Sequence, residues 1–304
     1  MRSDLPALRW GRRHGDVLVA WEPINRDLIA RLEPAVRTRT FAILRGRAST
    51  LVLHRVDEHA VDNDVGQLVA DELVRPGLVG GPGAFERCFA GLVESTARSP
   101  HAAWRRFYRN TLRRLRDARQ RPPAAGPIAT FAHIYRHAER LARGASVLDV
   151  GSCFALFPIL LAAGGKIRVT ASDANRTTVA LGRRMAAELE LPVSFRICDL
   201  TRRLPFAAAS FDTVTALHVL EHLPVEQTVF ALERLCTVGS RRVIVAVPLE
   251  QSPDAVYGHQ QSFDLDRLAA LATRVPGWRG RAHEYLGGWL VLEPRAVGAC
   301  GVGG

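Results

Sequence analysis

The chain has 304 residues, 47% of them hydrophobic and 23% charged, which excludes a mainly disordered polymer and fits about two domains. No stretch approaches the ~18 consecutive apolar residues of a membrane span, and no apolar core follows the basic N-terminus, so neither a membrane segment nor a signal peptide is expected. Of the 41 basic residues behind the net charge of +11, 40 are Arg and only Lys166 is Lys, a skew that suits a GC-rich coding sequence better than selection for phosphate contacts.

Residues 1–60 contain short β-like runs: 16–21 (DVLVAW), then 40–44 (TFAIL) and 49–54 (STLVLH), paired as a hairpin around Arg45-Gly46-Arg47. From 65 to 121 the apolar period becomes helical, with helices expected over 65–73, 84–97 and 101–121. The last of these includes residues 105–121, where eight Arg accompany one acid; a solvated helix face is the preferred reading, so a nucleic-acid partner is not expected. Residues 121–127 (RPPAAGP) break the chain and serve as the linker.

Beyond the break, β-rich runs alternate with helical ones. Strands are expected at 146–150, 167–172, 193–198, 213–217 and 242–247, helices at 156–163, 177–190, 225–236 and 264–274, and two closing strands at 281–285 and 288–293. Apolar strand interiors in this alternation imply an α/β fold, a doubly wound, mostly parallel sheet covered on both faces. Ligands then bind beyond the carboxyl ends of the strands. The first strand ends in Asp149-Val-Gly151-Ser-Cys153-Phe-Ala155, a small-residue turn that permits close approach of a ligand. Asp173 follows the second strand, 22 residues after Gly151, where an acid can accept ribose hydroxyls; its competing reading is a helix cap. Asp199-Leu200 follows the third strand at the adenine side, and His218 ends the fourth. The five cysteines (88, 153, 198, 236, 300) show no CxxC spacing, which points to reduced thiols and a cytoplasmic location; Cys153 reads as a small packing residue.

The ordered set VLDVGS (147–152), Asp173, CDL (198–200), LPF with FD (204–212) and HVLEHL (218–223) resembles the class I S-adenosylmethionine-dependent methyltransferases over about residues 130–294. The resemblance departs at the glycine turn, where Cys153 and Ala155 replace two glycines. It implies S-adenosylmethionine as cofactor, with Asp149, Gly151, Cys153, Asp173, Asp199, Leu200 and His218 around it. Residues 128–295 would form the methyltransferase domain, 1–127 a mixed α+β segment that shapes the acceptor site, and 296–304 a disordered tail.

Residues 218–222 (HVLEH) also satisfy the H-x-x-E-H zinc-peptidase pattern, which needs one helix carrying both histidines. Because His218 ends a β-rich run, that reading is set aside. The segment is similar to quinone-pathway O-methyltransferases too, which implies Mg²⁺ at Glu221 and His222; His218 stands in place of their first acid, which weakens a site for an oxygen-seeking ion, and no metal ligand is assigned. A hydroxyl acceptor must lose its proton during attack. His222 is the expected base and Glu221 its orienting partner, with a pKa raised if Glu221 is ionised beside it; His259 and His283 stand second. At finer grain, 105–115 (RRFYRNTLRRL), 135–141 (YRHAERL), 146–154 (SVLDVGSCF), 169–173 (VTASD), 245–250 (VAVPLE), 257–259 (YGH) and 287–293 (GGWLVLE) resemble the mycofactocin oligosaccharide methyltransferases. That implies O-methylation of a glucose hydroxyl. The alternatives are another small hydroxylated metabolite, such as a quinone precursor, and RNA.

Overall fold

In the computed structural model, which describes residues 7–30, 32–46 and 49–295, the chain divides into two units, Met1–Ala132 and His133–Gly304. The first holds a five-stranded sheet of β1 (Arg12–His14), β2 (Val17–Trp21), β3 (Val36–Arg37), β4 (Phe41–Arg45) and β5 (Thr50–His54), in the order β1-β2-β5-β4-β3. β4 and β5 form the expected antiparallel hairpin, while β2 and β5 run parallel. Alternation within β2, β4 and β5 places Leu18, Ala20, Ala42, Leu44, Leu51 and Leu53 in one buried cluster. Helix α1 (Arg26–Ile29) and α2 (Val65–Val69) are short, and α2 continues as a π-turn over Ala70–Val74. α3 (Ala84–Ser95) approaches β2 closely through Gly91, whose added Cβ would stand 2.5 Å from Val19 Cγ2.

Ser99 starts α4 (Pro100–Ala118): its hydroxyl accepts from the Ala102 amide at 3.2 Å, and Pro100 fills a position whose N–H would have no helical partner. α4 buries Trp104, Phe107, Tyr108, Leu112 and Leu115 at helical spacing and turns Arg105, Arg109, Arg113 and Arg116 to solvent. Arginines of this run also make ion pairs within the unit. Arg106 meets Glu58, and Arg114 meets Asp62 and, at 2.7 Å, Asp64.

α5 (Pro127–Leu141), a helix that the sequence reading did not single out, begins in the first unit and ends in the second. The second unit is a seven-stranded sheet of β6 (Ser146–Val150), β7 (Arg168–Asp173), β8 (Val193–Ile197), β9 (Phe211–Leu217), β10 (Gly239–Val247), β11 (Trp278–Glu284) and β12 (Gly288–Pro294). Its order is β11-β12-β10-β9-β6-β7-β8; β6 to β10 pair in parallel and β12 runs antiparallel to both its neighbours. The helices are α6 (Leu156–Ala162), α7 (Arg176–Glu188), α8 (Thr228–Val238) and α9 (Leu265–Thr273). Val147, Leu148, Val150, Val214, Ala216 and Val243 to Val247 are buried, as strands covered on both faces require. The chain leaves β6 toward β7 and β8 and then crosses back to β9, so the sheet reverses direction between β6 and β9, the crevice where such sheets bind ligands. The tail expected to be disordered lies outside the described residues.

Candidate functional site

The crevice is built from the two loops that leave β6 and β9. After β6 the backbone enters the left-handed region at Gly151 (φ 73°), Cys153 (φ 48°) and Ala155 (φ 54°), and α6 begins at Leu156. A Cβ on Gly151 would stand 2.5 Å from Val219 Cγ2, so glycine is required by the neighbouring loop as well as by its φ. Ser152 and Ser172 hydroxyls both donate to the Asp149 carbonyl, at 3.0 and 3.1 Å, and tie the turn to β7. Asp149 itself is 3% exposed and accepts from Thr215 Oγ1 at 2.6 Å. Burial pushes its carboxyl up to about 7, against the pull of Thr215 and Ser152, with Asp173 adding repulsion.

Asp173 ends β7, and both of its oxygens hold backbone amides: Cys153 N–H at 2.8 Å and Asn175 N–H at 2.8 Å. The capping of α7 belongs instead to Asn175, which accepts from Thr177 and Thr178, and this removes the competing reading of Asp173. Each carboxylate oxygen has two lone-pair sites, so Asp173 retains acceptor capacity for vicinal hydroxyls. Cys153 is exposed rather than packed, which corrects the expectation for that side chain. Asp199 accepts from the Thr201 amide and hydroxyl at 2.9 and 2.7 Å, and these bonds hold its carboxyl below the usual range. Leu200 is buried in the core. Taken together, a strained small-residue turn and an anchored carboxylate at adjacent strand ends suit an adenosine-bearing cofactor.

On the other side of the crevice His218 takes φ 56° directly after β9, and Leu220–His222 form a single 3₁₀ turn. No helix carries both His218 and His222, so the zinc-peptidase geometry does not exist here. Glu221 is 0% exposed, and neither of its carboxylate oxygens has a hydrogen-bond partner among the described residues. His218 Nδ1 lies 3.3 Å from Glu221 Oε1, within ion-pair range but not aligned for a hydrogen bond. Neither oxygen is bonded to a backbone amide, so Glu221 does not close the start of the 3₁₀ turn.

A loop after β10 completes the group. Gln260 and Gln261 amides donate to the Glu221 carbonyl at 2.7 and 3.4 Å, and the Gln261 side chain donates to the Leu220 and Leu223 carbonyls at 2.8 Å each. This fixes His259 against His222, with ring centroids 4.9 Å apart and nearly perpendicular. Glu250 Oε2 lies 2.8 Å from His259 Nδ1. His222 is an exposed residue, yet loss of ring hydration lowers its pKa; His259 lowers it further, and together they outweigh the rise from Glu221. The expected upward shift is therefore reversed, and the imidazole is neutral at pH 7. Glu221, His222 and His259 offer ligand atoms within 4.8 Å of one another. Two imidazoles and one carboxylate do not fit Mg²⁺, which seeks oxygen, and no step is derived through it. His283, the other second-rank histidine, lies apart from this group: its Nε2 is 2.9 Å from His137 Nε2.

Residues 147–239 match a family model described as a methyltransferase domain. Among solved structures the chain is similar to an S-adenosylmethionine-dependent methyltransferase from Aquifex aeolicus, with 17% identity, 53% of this chain and 87% of that chain covered and a TM-score of 0.43. It is also similar to magnesium protoporphyrin IX methyltransferase from Synechocystis PCC 6803 with bound S-adenosylhomocysteine, at 20% identity, 60% and 92% coverage and a TM-score of 0.43. No curated protein matches the sequence significantly. No helix among the described residues is long and apolar enough to cross a membrane. The matched segment runs from β6 through the Gly151 turn, Asp173 and the Glu221–His222 turn to the start of β10, and this part of the chain is a methyltransferase domain.

Proposed function

We propose that the enzyme methylates a hydroxyl oxygen of a sugar, a glucose of the mycofactocin oligosaccharide. The bound cofactor supplies a methyl on sulfonium, and the displacement is in line. In this reading Asp173 accepts the ribose hydroxyls, Asp199 and Leu200 border the adenine, and the Gly151–Ala155 turn over Asp149 follows the methionine portion with Cys153. His218 lines the cofactor side of the crevice.

The observation that carries the hydroxyl chemistry is a neutral His222 beside a fully buried carboxylate without hydrogen bonds. An alcohol oxygen attacks well only as its proton departs. His222 takes that proton, and the imidazolium so formed is stabilised by the buried Glu221 carboxylate beside it. An acceptor that is already an anion would need neither residue. The glucose acceptor is supported by the resemblance at 105–115, 135–141, 146–154, 169–173, 245–250, 257–259 and 287–293.

The test is incubation of the purified enzyme with S-adenosylmethionine and a glucose oligosaccharide on the peptide-derived cofactor, read by mass spectrometry with linkage analysis. We expect a gain of one methylene on a sugar oxygen, and His222→Ala to lower kcat by ~10²–10⁴-fold with cofactor affinity retained. Methylation of a quinone precursor in place of the sugar, or near-normal turnover in His222→Ala, would overturn the reading.

A further inference from the structure

Burying a carboxylate without donors is costly, and such groups in folded proteins are met by a partner that compensates the charge. Glu221 is the case here: 0% exposed, both oxygens without hydrogen bonds, and turned into a group with His222 and His259 whose ligand atoms lie within 4.8 Å of one another. Three features go beyond chance proximity. The three residues come from two segments, the turn after β9 and the loop after β10, and the amides of Gln260 and Gln261 and the Gln261 side chain lock these together. Glu250 engages His259 Nδ1 at 2.8 Å, which leaves Nε2 free to act as a donor; a carboxylate behind an imidazole is the usual support of a metal-ligating histidine. The donors are also mixed, two nitrogens and one oxygen, with solvent access at His222 for a fourth ligand.

We infer that Glu221, His222 and His259 form a binding site for a divalent transition-metal ion of the zinc class. Three protein ligands and one water complete a tetrahedral shell, and imidazole nitrogen selects Zn²⁺ over Mg²⁺ or Ca²⁺. The site receives positive charge in either of two forms: a proton on His222 during methyl transfer, or the metal ion across all three residues. One imidazole lone pair cannot serve both. Metal occupancy therefore withdraws the base, and zinc acts as a reversible inhibitor. The binding itself stands independently of the proposed acceptor; the inhibition rests on the reading of His222 as base.

The experiment uses tag-free full-length protein stripped by a chelator and titrated with Zn²⁺ by calorimetry, with metal counted after desalting. One zinc per chain is expected. Glu221→Gln and His259→Ala should each weaken binding at least tenfold, and Glu250→Gln about tenfold through the lost support of His259. Mg²⁺ at the same concentrations should give no heat. S-adenosylmethionine binding verifies that each variant is folded, and His259→Gln replaces His259→Ala if the latter is not. In the turnover assay, activity should fall in proportion to zinc occupancy and return with chelator. Absence of stoichiometric zinc, or unchanged affinity in folded Glu221 and His259 variants, would overturn the site. Turnover that rises with zinc would overturn the inhibitory role. A wild-type enzyme that counts one zinc but leaves every sugar unmethylated would sink the acceptor proposal and leave the metal site standing.

Discussion

Asp173 shows how much one side chain does at the carboxyl edge of the sheet. It fixes the Cys153 and Asn175 amides at 2.8 Å each and, in the proposed role, keeps lone pairs for two ribose hydroxyls. Hydrogen bonds to a charged acceptor are worth ~1.5–3 kcal/mol each. Asp173→Ala should therefore lower S-adenosylmethionine affinity at least tenfold in calorimetry; unchanged affinity would defeat the ribose assignment. The position of this acid was legible because strand, turn and acid follow a spacing dictated by the βαβ unit. Two other side chains were less legible. The downward shift of His222 depends on desolvation and on His259, which lies 37 positions away and is brought in by a loop, so adjacency to Glu221 alone suggested the opposite sign. His259 ranked second for the same reason, since nothing in the string YGHQQSFD reveals that Gln260 and Gln261 bind the Glu221 turn.

Among elements, the turn after β6 is held from two sides. Its φ at Gly151 is positive, and Val219 occupies the space a Cβ would need. Gly151→Val should thus destabilise the fold as well as abolish cofactor binding, so it does not isolate the cofactor contact. Pairing it with Val219→Ala should recover part of the thermal stability in calorimetric scans, and a double variant no more stable than Gly151→Val would contradict the packing account. Asn175→Ala, which removes the α7 cap, should cost about 1 kcal/mol by urea unfolding. The central parallel strands were readable because β6, β7, β9 and β10 hold unbroken buried runs covered on both faces, while β8, at the sheet edge, buries only Phe195. β1 and β3 were missed because three and two residues carry no period. α5 was missed although Ile128, Ala132 and Ala138 are buried near helical spacing; its histidines and arginines diluted the signal.

At the scale of the whole molecule, two buried ionisable groups oppose each other. His54 is fully buried, contacts Ser95 Oγ at 2.8 Å, and burial holds its pKa down at about 3. Between that value and the ~6.5 of free histidine, only the unfolded chain carries the proton, so stability falls by ~1.4 kcal/mol per unit of acidification. Asp149 behaves oppositely. With a folded pKa of about 7 and ~3.9 when unfolded, it binds its proton in the folded state, and stability falls by ~1.4 kcal/mol per unit as pH rises through that window. Their contributions to global unfolding cancel over most of the shared range. His54→Gln should make stability fall with rising pH between about 4 and 6.5, and Asp149→Asn should make it fall with acidification there. Denaturant midpoints measured at several pH values would show both slopes, and parallel profiles for all three proteins would refute the assignment.

The distribution of thiols has a practical consequence. Cys88, Cys198 and Cys236 are buried, and burial raises their pKa values, whereas Cys153 is exposed in the turn beside Asp173. Once Cys300 is replaced by Ser, an alkylating reagent applied to the folded enzyme should mark Cys153 selectively. If the turn receives the cofactor, S-adenosylmethionine should shield that thiol in proportion to its saturation. The rate of labelling then becomes an occupancy meter that needs no acceptor and no turnover.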